Sequence, residues 1–300
     1  MTAMQIAVNT HPWRFQPHPE VWLLVTAVIA GYIYAVRVIG PHVVGSGSTI
    51  TRRQGISFVA GVLILWSASD WPVHDISEEY LYSAHMLQHM MLSYFMPPLM
   101  LLATPTWLFR AVVGDGNGRR VIRFLSKPIV AGLLFNVVVI TTHIPDLVNR
   151  SLSNGLLHYS LHVLLVVAAL FMWMPICGPD RSYQISYGGK MVYLFLMSVV
   201  PTVPAAWLAF AENAVYKHYD IPVRVFGWSV ITDQQLAGAA MKSGGSIYLW
   251  SIIIFIFFRR FMGGFSDEQS YRSESTDEPL TDNAVTDAFG RVPAVPGWNR

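Results

Sequence analysis

Charge is what this 300-residue sequence has least of. Only 13% of its residues are Asp, Glu, Lys or Arg, while 53% are hydrophobic. A soluble domain carries about a quarter charged residues, so this chain has too little polar surface to cover itself in water. A net charge of +2 leaves no electrostatic footprint for nucleic acid. Cysteine is scarcer still. Cys177 is the sole one, which excludes a disulfide framework and any CxxC redox or metal motif; placed at the end of an apolar run, it reads as structural. A metal would have to rely on His, Met or carboxylate. The opening MTAMQIAVNTHPWRFQPHPE lacks the basic start, apolar middle and small-residue cleavage site of a signal peptide, so the first apolar segment is expected to be a retained span.

What the sequence does have is apolar runs. A helical span needs about 20 mostly apolar residues, and runs of that kind lie at 21–39, 55–71, 82–103, 128–143, 155–175, 190–211 and 236–261. Ten Trp and thirteen Tyr suit two interfacial aromatic belts. No repeat stands out, and no connection is long enough for a separate soluble domain. Alternate connections differ in basic residues. One set holds Arg37, Arg52, Arg53, Arg110, Arg119, Arg120, Arg123, Lys127, Arg181, Lys190, Arg259 and Arg260; the other holds Arg14, Arg150, Lys217, Arg224 and Lys242. Twelve against five puts the first set inside. The expected fold class is therefore all-α: a polytopic membrane helix bundle of about seven transmembrane helices, N-terminus outside and C-terminus inside. Residues 1–20 form an extracytoplasmic segment, 21–262 the membrane domain, and 263–300 an acidic, disordered cytoplasmic tail.

Threaded this way, nine of the ten histidines fall on the outer side; only His42 is inside. His85 and His89 occupy the first two turns of the third span, His143 the outer end of the fourth, and His158 and His162 the first two turns of the fifth. Residues i and i+4 share a helix face, so each HxxxH makes a same-face pair, and two such helices side by side offer several imidazoles to one metal. Imidazole suits copper and zinc, and thioether selects the cuprous ion; Met86 and Met90 form a second i/i+4 pair beside the histidines. HxxxH is also a zinc-protease spacing, but that motif needs a glutamate in HExxH, and here the segment reads HMLQH. The bland readings are a snorkelling His143 and core-filling methionines. The paired histidines favour function, because ionisable groups within a span are costly.

Other stretches frame this cluster. DWPVHDISEEY, with His74 among Asp70, Asp75, Glu78 and Glu79, reads first as a solvated acidic loop, and alternatively as one that draws cations to an outer mouth. Pro97 and Pro98 must break the hydrogen-bond ladder of the third span, and Pro201 and Pro204 that of the sixth. ITDQQLAGAAM reads as a capped helix start with Thr232 as cap. Asp233 and Gln234 are then expected at the outer surface near the histidines, and Gly238, Gly244 and Gly245 allow close packing.

SAHMLQHMMLSYFMPPLMLL, LLHYSLHVLLVVAALFMWMPICG and TDQQLAGAAM, in that order, resemble the CtaG family of cytochrome c oxidase assembly factors, the multi-span type associated with caa-type oxidases. The resemblance covers roughly residues 20–262. It maps the family's HxxxH onto His85 and His89, its later pair onto His158 and His162, and its Asp-Gln motif onto Asp233 and Gln234. Lys242 departs from the pattern, standing where an aromatic is expected after Met241. Related domains occur fused to copper-resistance membrane domains, so the resemblance implies a copper connection. The expected protein is a non-enzymatic assembly factor of the plasma membrane. It would hand copper, as Cu(I), to cytochrome c oxidase subunits, with a copper chaperone as a candidate donor. Three alternatives stay open: a b-type haem held by His89 and His158, a copper transporter using Met96, Met100, Met172 and Met197, and a metal-free scaffold.

Overall fold

A chain in hydrocarbon has to satisfy its own N–H and C=O groups, and every long apolar run here is helical. The computed structural model describes residues 11–45 and 47–276, with side chains to Met262. Helix α1 (Pro19–Tyr34) runs through a π turn at Ala35–Ile39 into α2 (Gly40–Val44). Helix α3 (Arg52–Ser69) starts on a capping box between Thr51 and Gln54. Then come α4 (Val73–Glu79) and α5 (Tyr82–Met90), a π turn at Met91–Phe95, and α6 (Met96–Ala103). Two short helices, α7 (Thr106–Val113) and α8 (Asn117–Leu125), lead to α9 (Pro128–Thr142) and α10 (Pro145–Leu152). Helix α11 (Gly155–Cys177), α12 (Tyr187–Val199), α13 (Thr202–Ala209) and α14 (Val230–Thr276) complete the order. No strand occurs among the described residues.

Five helical stretches are long and apolar enough to cross a membrane, and seven if each of two bent pairs counts as one span. The bends fall between Ala103 and Thr106, by 99°, and between Leu125 and Pro128, by 73°. Leu23, Leu63, Leu133, Val163 and Ile247 point outward and are more than half exposed. Helices apolar on their outer faces as well as their inner ones belong in lipid, and the chain is a membrane protein.

Several expectations are corrected. The segment 73–79 is not a solvated loop: α4 is a buried helix, with His74, Asp75, Ile76 and Ser77 all inside, because Tyr219 and Gln88 bind its Ser77 from both sides. Ser229, not Thr232, caps α14, its hydroxyl accepting from Thr232 N. The sixth span breaks at Pro201 as expected, but Pro204 does not break it: it sits in the first turn of α13, where a missing N–H costs nothing. Helix α14 continues over 263–276, where disorder was expected, and no proline interrupts it before Pro279. Residues 1–10 and 277–300 of the expected terminal segments lie outside the described residues.

Up to Ile253 the chain forms one unit. Within it α1, α3 and α6 share a core of Val21, Val25, Phe58, Val62 and Ala103, and α11 packs on α6 and α9. From Ile254 the last helix belongs to a second unit, in which Phe257 stacks on Phe261. Contacts sort the connections of the first unit to two ends. At one, Trp107 donates to Thr49 O and Arg110 pairs with Asp180; the Ser182 amide and that guanidinium hold the Asp180 carboxyl below its usual range. At the other lie the histidines.

The prolines of the third span are accommodated by its neighbour. Pro97 and Pro98 have no N–H for the carbonyl of Ser93, and the buried Trp173 indole of α11 donates to that oxygen at 3.0 Å. The glycines of α14 admit close approach at Gly238, where a Cβ would stand 2.6 Å from Ala205 O and 2.7 Å from Ala209 N. Gly238→Val is expected to cost about 1–3 kcal/mol through overpacking. It would show as a lowered melting temperature in detergent, whereas Gly31→Ala, in open space, leaves the melt unchanged.

Candidate metal centre

Each HxxxH pair comes out on one face, and the two faces meet. Ring centroids of His85 and His89 are 4.4 Å apart, and those of His158 and His162 likewise 4.4 Å. Across the helix interface His89 is 5.0 Å from His162, and His85 is 5.9 Å from both His158 and His162. His143, just past the end of α9, joins at 6.2 Å from His89. The structure therefore brings all five sequence-singled histidines of the spans into one contiguous group.

Their ring nitrogens divide that group. One ligand atom each from His85, His89 and His162 lie within 4.8 Å of one another. Two buried nitrogens, His85 Nδ1 and His162 Nε2, have no hydrogen-bond partner. A buried polar atom without a partner costs about 1–3 kcal/mol, and two of them fall in this one group. His158 is spoken for differently: its Nε2 lies 2.7 Å from Glu78 Oε1. The four-histidine set expected from the spacing is thus three facing imidazoles and a fourth turned to a carboxylate.

His143 faces a sulfur. Its Nδ1 lies 2.7 Å from Val139 O, which as a carbonyl can only accept, so Nδ1 carries the hydrogen. In the neutral ring Nε2 then holds a lone pair, and it stands 3.3 Å from Met86 Sδ, another lone-pair atom. Neither has a hydrogen to share. A soft cation between them would satisfy both. Met90, the other methionine singled out in the sequence, packs against Gly244 of α14, where a Cβ would meet its methyl at 2.8 Å.

A ring of aromatic and amide groups closes the group from above. Tyr82 lies over His85, with centroids 5.6 Å apart and planes at 20°, and touches Tyr216 at 4.2 Å. The Tyr216 hydroxyl donates to His143 O. His218, on the adjoining loop, is pushed below its usual pKa by burial and contacts Glu78 O at 3.1 Å. On one flank an apolar cavity of about 340 Å³ reaches His158 and His162, lined further by Leu92, Met96, Met100 and Val166.

Asp233 and Gln234 are not at the outer surface, contrary to expectation. Both are buried, because each satisfies backbone that has no other partner. Asp233 Oδ2 accepts from Tyr82 N at 2.7 Å and Oδ1 from Ser83 N at 3.2 Å, and the Ser83 hydroxyl donates to the same carboxylate. Leu81, the residue at the N-cap position of α5, has no side chain able to cap, so α14 caps α5 in trans. Gln234 binds Val215 N and Tyr216 O, fixing the tyrosine lid. His74 also lies inside, its Nδ1 3.1 Å from Glu78 Oε1. Lys242 is equally a clamp, donating to Ser198 O and Thr202 Oγ1 across the break before α13.

Two polar neighbours of the histidines escaped the sequence reading. Glu78 was lost among four acidic residues of one stretch, with nothing in the order of residues to single it out. Gln88 did carry a signal, as the amide inside HMLQH; it is 1% exposed, donates to Ala68 O and accepts from Ser77.

The class these features define is a polytopic helical membrane protein with a buried imidazole group at one end. The family model for the cytochrome c oxidase caa3 assembly factors matches residues 8–262, and the chain belongs to that family. Uncharacterized proteins of Mycobacterium bovis and of Mycobacterium tuberculosis are each 28% identical to it over 233 residues, which cover 64% of this chain and 33% of the relative. The chain thus spans about a third of the length of the curated relatives it matches. No solved structure is significantly similar to it.

Removing the trans-cap should loosen the first turn that carries the histidines. Asp233→Ala is expected to cost about 1–2 kcal/mol, the range for a lost N-cap, read as a lower melting temperature. Amide hydrogen exchange should accelerate at Tyr82 and Ser83, and Asp233→Asn should recover part of the loss.

Proposed function

We propose that this assembly factor serves oxidase biogenesis by holding copper, as Cu(I), among His85, His89 and His162 and passing it to the nascent oxidase. The observation that carries this reading is the convergence of three imidazole ligand atoms within 4.8 Å, two of the group's buried nitrogens being without a partner. Imidazole and thioether together suit the cuprous ion, and the unbonded His143–Met86 pair supplies a mixed nitrogen–sulfur step beside the main group. Exchangeable ligands of this kind suit handing a metal over rather than turning over a substrate, so no catalytic residue is assigned.

In this reading the histidine end faces outside the plasma membrane, in line with the excess of Lys and Arg in the other connections. The partners are then oxidase subunits and a copper donor met on that side. A haem is less well served: a macrocycle needs a slot between its axial ligands, and these rings already lie against one another. A transporter would draw on Met96 and Met100, which line the neighbouring cavity, but the imidazoles gather at one depth.

A competition titration of purified, detergent-solubilised full chain with a chromophoric Cu(I) chelator tests the proposal. The wild type is expected to take up about one equivalent, and His85→Ala/His89→Ala to lose it while keeping its helical circular dichroism. Met86→Leu is expected to weaken binding by roughly 10- to 100-fold, the usual effect of losing a group that supports a metal site. A folded wild type that leaves all Cu(I) with the chelator would refute the copper reading and leave a metal-free scaffold.

A further inference from the structure

The cavity that reaches the imidazole group is lined mostly by apolar side chains, a costly path for a bare ion; an ion needs ligands to pass it inward. From the protein surface to His158 there is one continuous series of metal-binding side chains. Glu20, half exposed, has Oε1 3.1 Å from His18 Nδ1. His18 Nε2 is 2.8 Å from Asp75 Oδ1, and its ring lies edge-on to His74 with centroids 4.8 Å apart. His74 Nδ1 is 3.1 Å from Glu78 Oε1, and the same oxygen is 2.7 Å from His158 Nε2. His158 then meets His162 and His85.

We infer that Glu20, His18, Asp75, His74 and Glu78 form a relay that conducts copper between the protein surface and the buried imidazole group, with Glu78 as the step common to every path along it. This rests on the reading of that group as a copper site. The chemistry of the series is graded. Its outer members are carboxylates and carboxylate-bound imidazoles, hard or mixed donors that hold a soft cation loosely; its inner end is imidazole alone beside a thioether, which holds it better. A cation that crosses such a series ends on stronger ligands than those it met at the surface. One carboxylate oxygen of the relay, Asp75 Oδ2, is buried with neither a hydrogen bond nor an ion-pair contact, as a waiting ligand would be and a purely structural hydrogen bond would not require.

A structural network would fix affinity and stability; a relay fixes rate. Stopped-flow transfer of Cu(I) from a chromophoric chelator complex to the detergent-solubilised full chain reads both the rate and the final partition. Glu78→Gln and His18→Gln/Asp75→Asn are each expected to slow transfer roughly tenfold or more, with the equilibrium partition within about threefold of wild type. Trp22→Phe, which removes a neighbouring tether of α1 to Asp70 but no relay ligand, should leave the rate unchanged. The relay is overturned if either relay variant loads at the wild-type rate, or if Trp22→Phe slows loading as much as they do. In both cases the copper site itself stands, since the wild type still binds. A wild type that takes no Cu(I) at equilibrium overturns site and relay together.

Discussion

The arrangement of this protein hangs on one carboxylate. In hydrocarbon an unsatisfied N–H costs several kcal/mol, and α5 opens inside the protein with no capping side chain of its own. Asp233 supplies the missing acceptors from a helix some 150 residues away. That bond fixes where α5 starts, and so the depth and direction of His85 and His89. It also draws α14 against the tyrosine lid, because Gln234, the next residue, holds Tyr216 and through it His143 O. Buried polar residues of a membrane domain invite a reading as ligands; here two of them build the site without joining it.

The same device recurs at other places in the chain. Trp173 takes the carbonyl that Pro97 and Pro98 leave open, Lys242 bridges the turn before α13, and Tyr219 holds Ser77 O at α4. Each of these carbonyls is met by a donor from a distant part of the chain. This is why a chain with so few charges can interrupt its spans several times and remain in lipid: the interruptions are the places where helices are tied together.

Much of this was legible in the residues. The apolar runs gave the spans to within a few positions, since a stretch that must cross hydrocarbon has few other structures open to it. The two HxxxH pairs gave the imidazole group, because a four-residue step on a helix is a geometric statement. Where the reading failed, tertiary contact decided. The acidic stretch 70–79 has the composition of a loop, and nothing in it announces that Tyr219 and Gln88 will bury it. Asp233 looked like an outward-facing first-turn acid, as such residues often are; its role depends on α5 ending up beside it. His158 was counted with its pair because spacing sets a face, while the direction of a ring within that face was set by Glu78.

The π turn at Met91–Phe95 has an effect on phase. A π turn holds one more residue than an α turn, and one residue is about 100° of rotation. Carried straight on as α-helix, the face of His85 and His89 would continue into Met96 and Met100, seven residues being close to two whole turns. With the extra residue the methionines swing round to align with Gln88, and it is Gln88, Met96 and Met100 that line the apolar cavity beside the imidazoles. The upper and lower halves of this span therefore serve different compartments of the interior. A chain one residue shorter through 91–95 would merge them into a single polar-to-sulfur stripe and leave the cavity walled by other side chains.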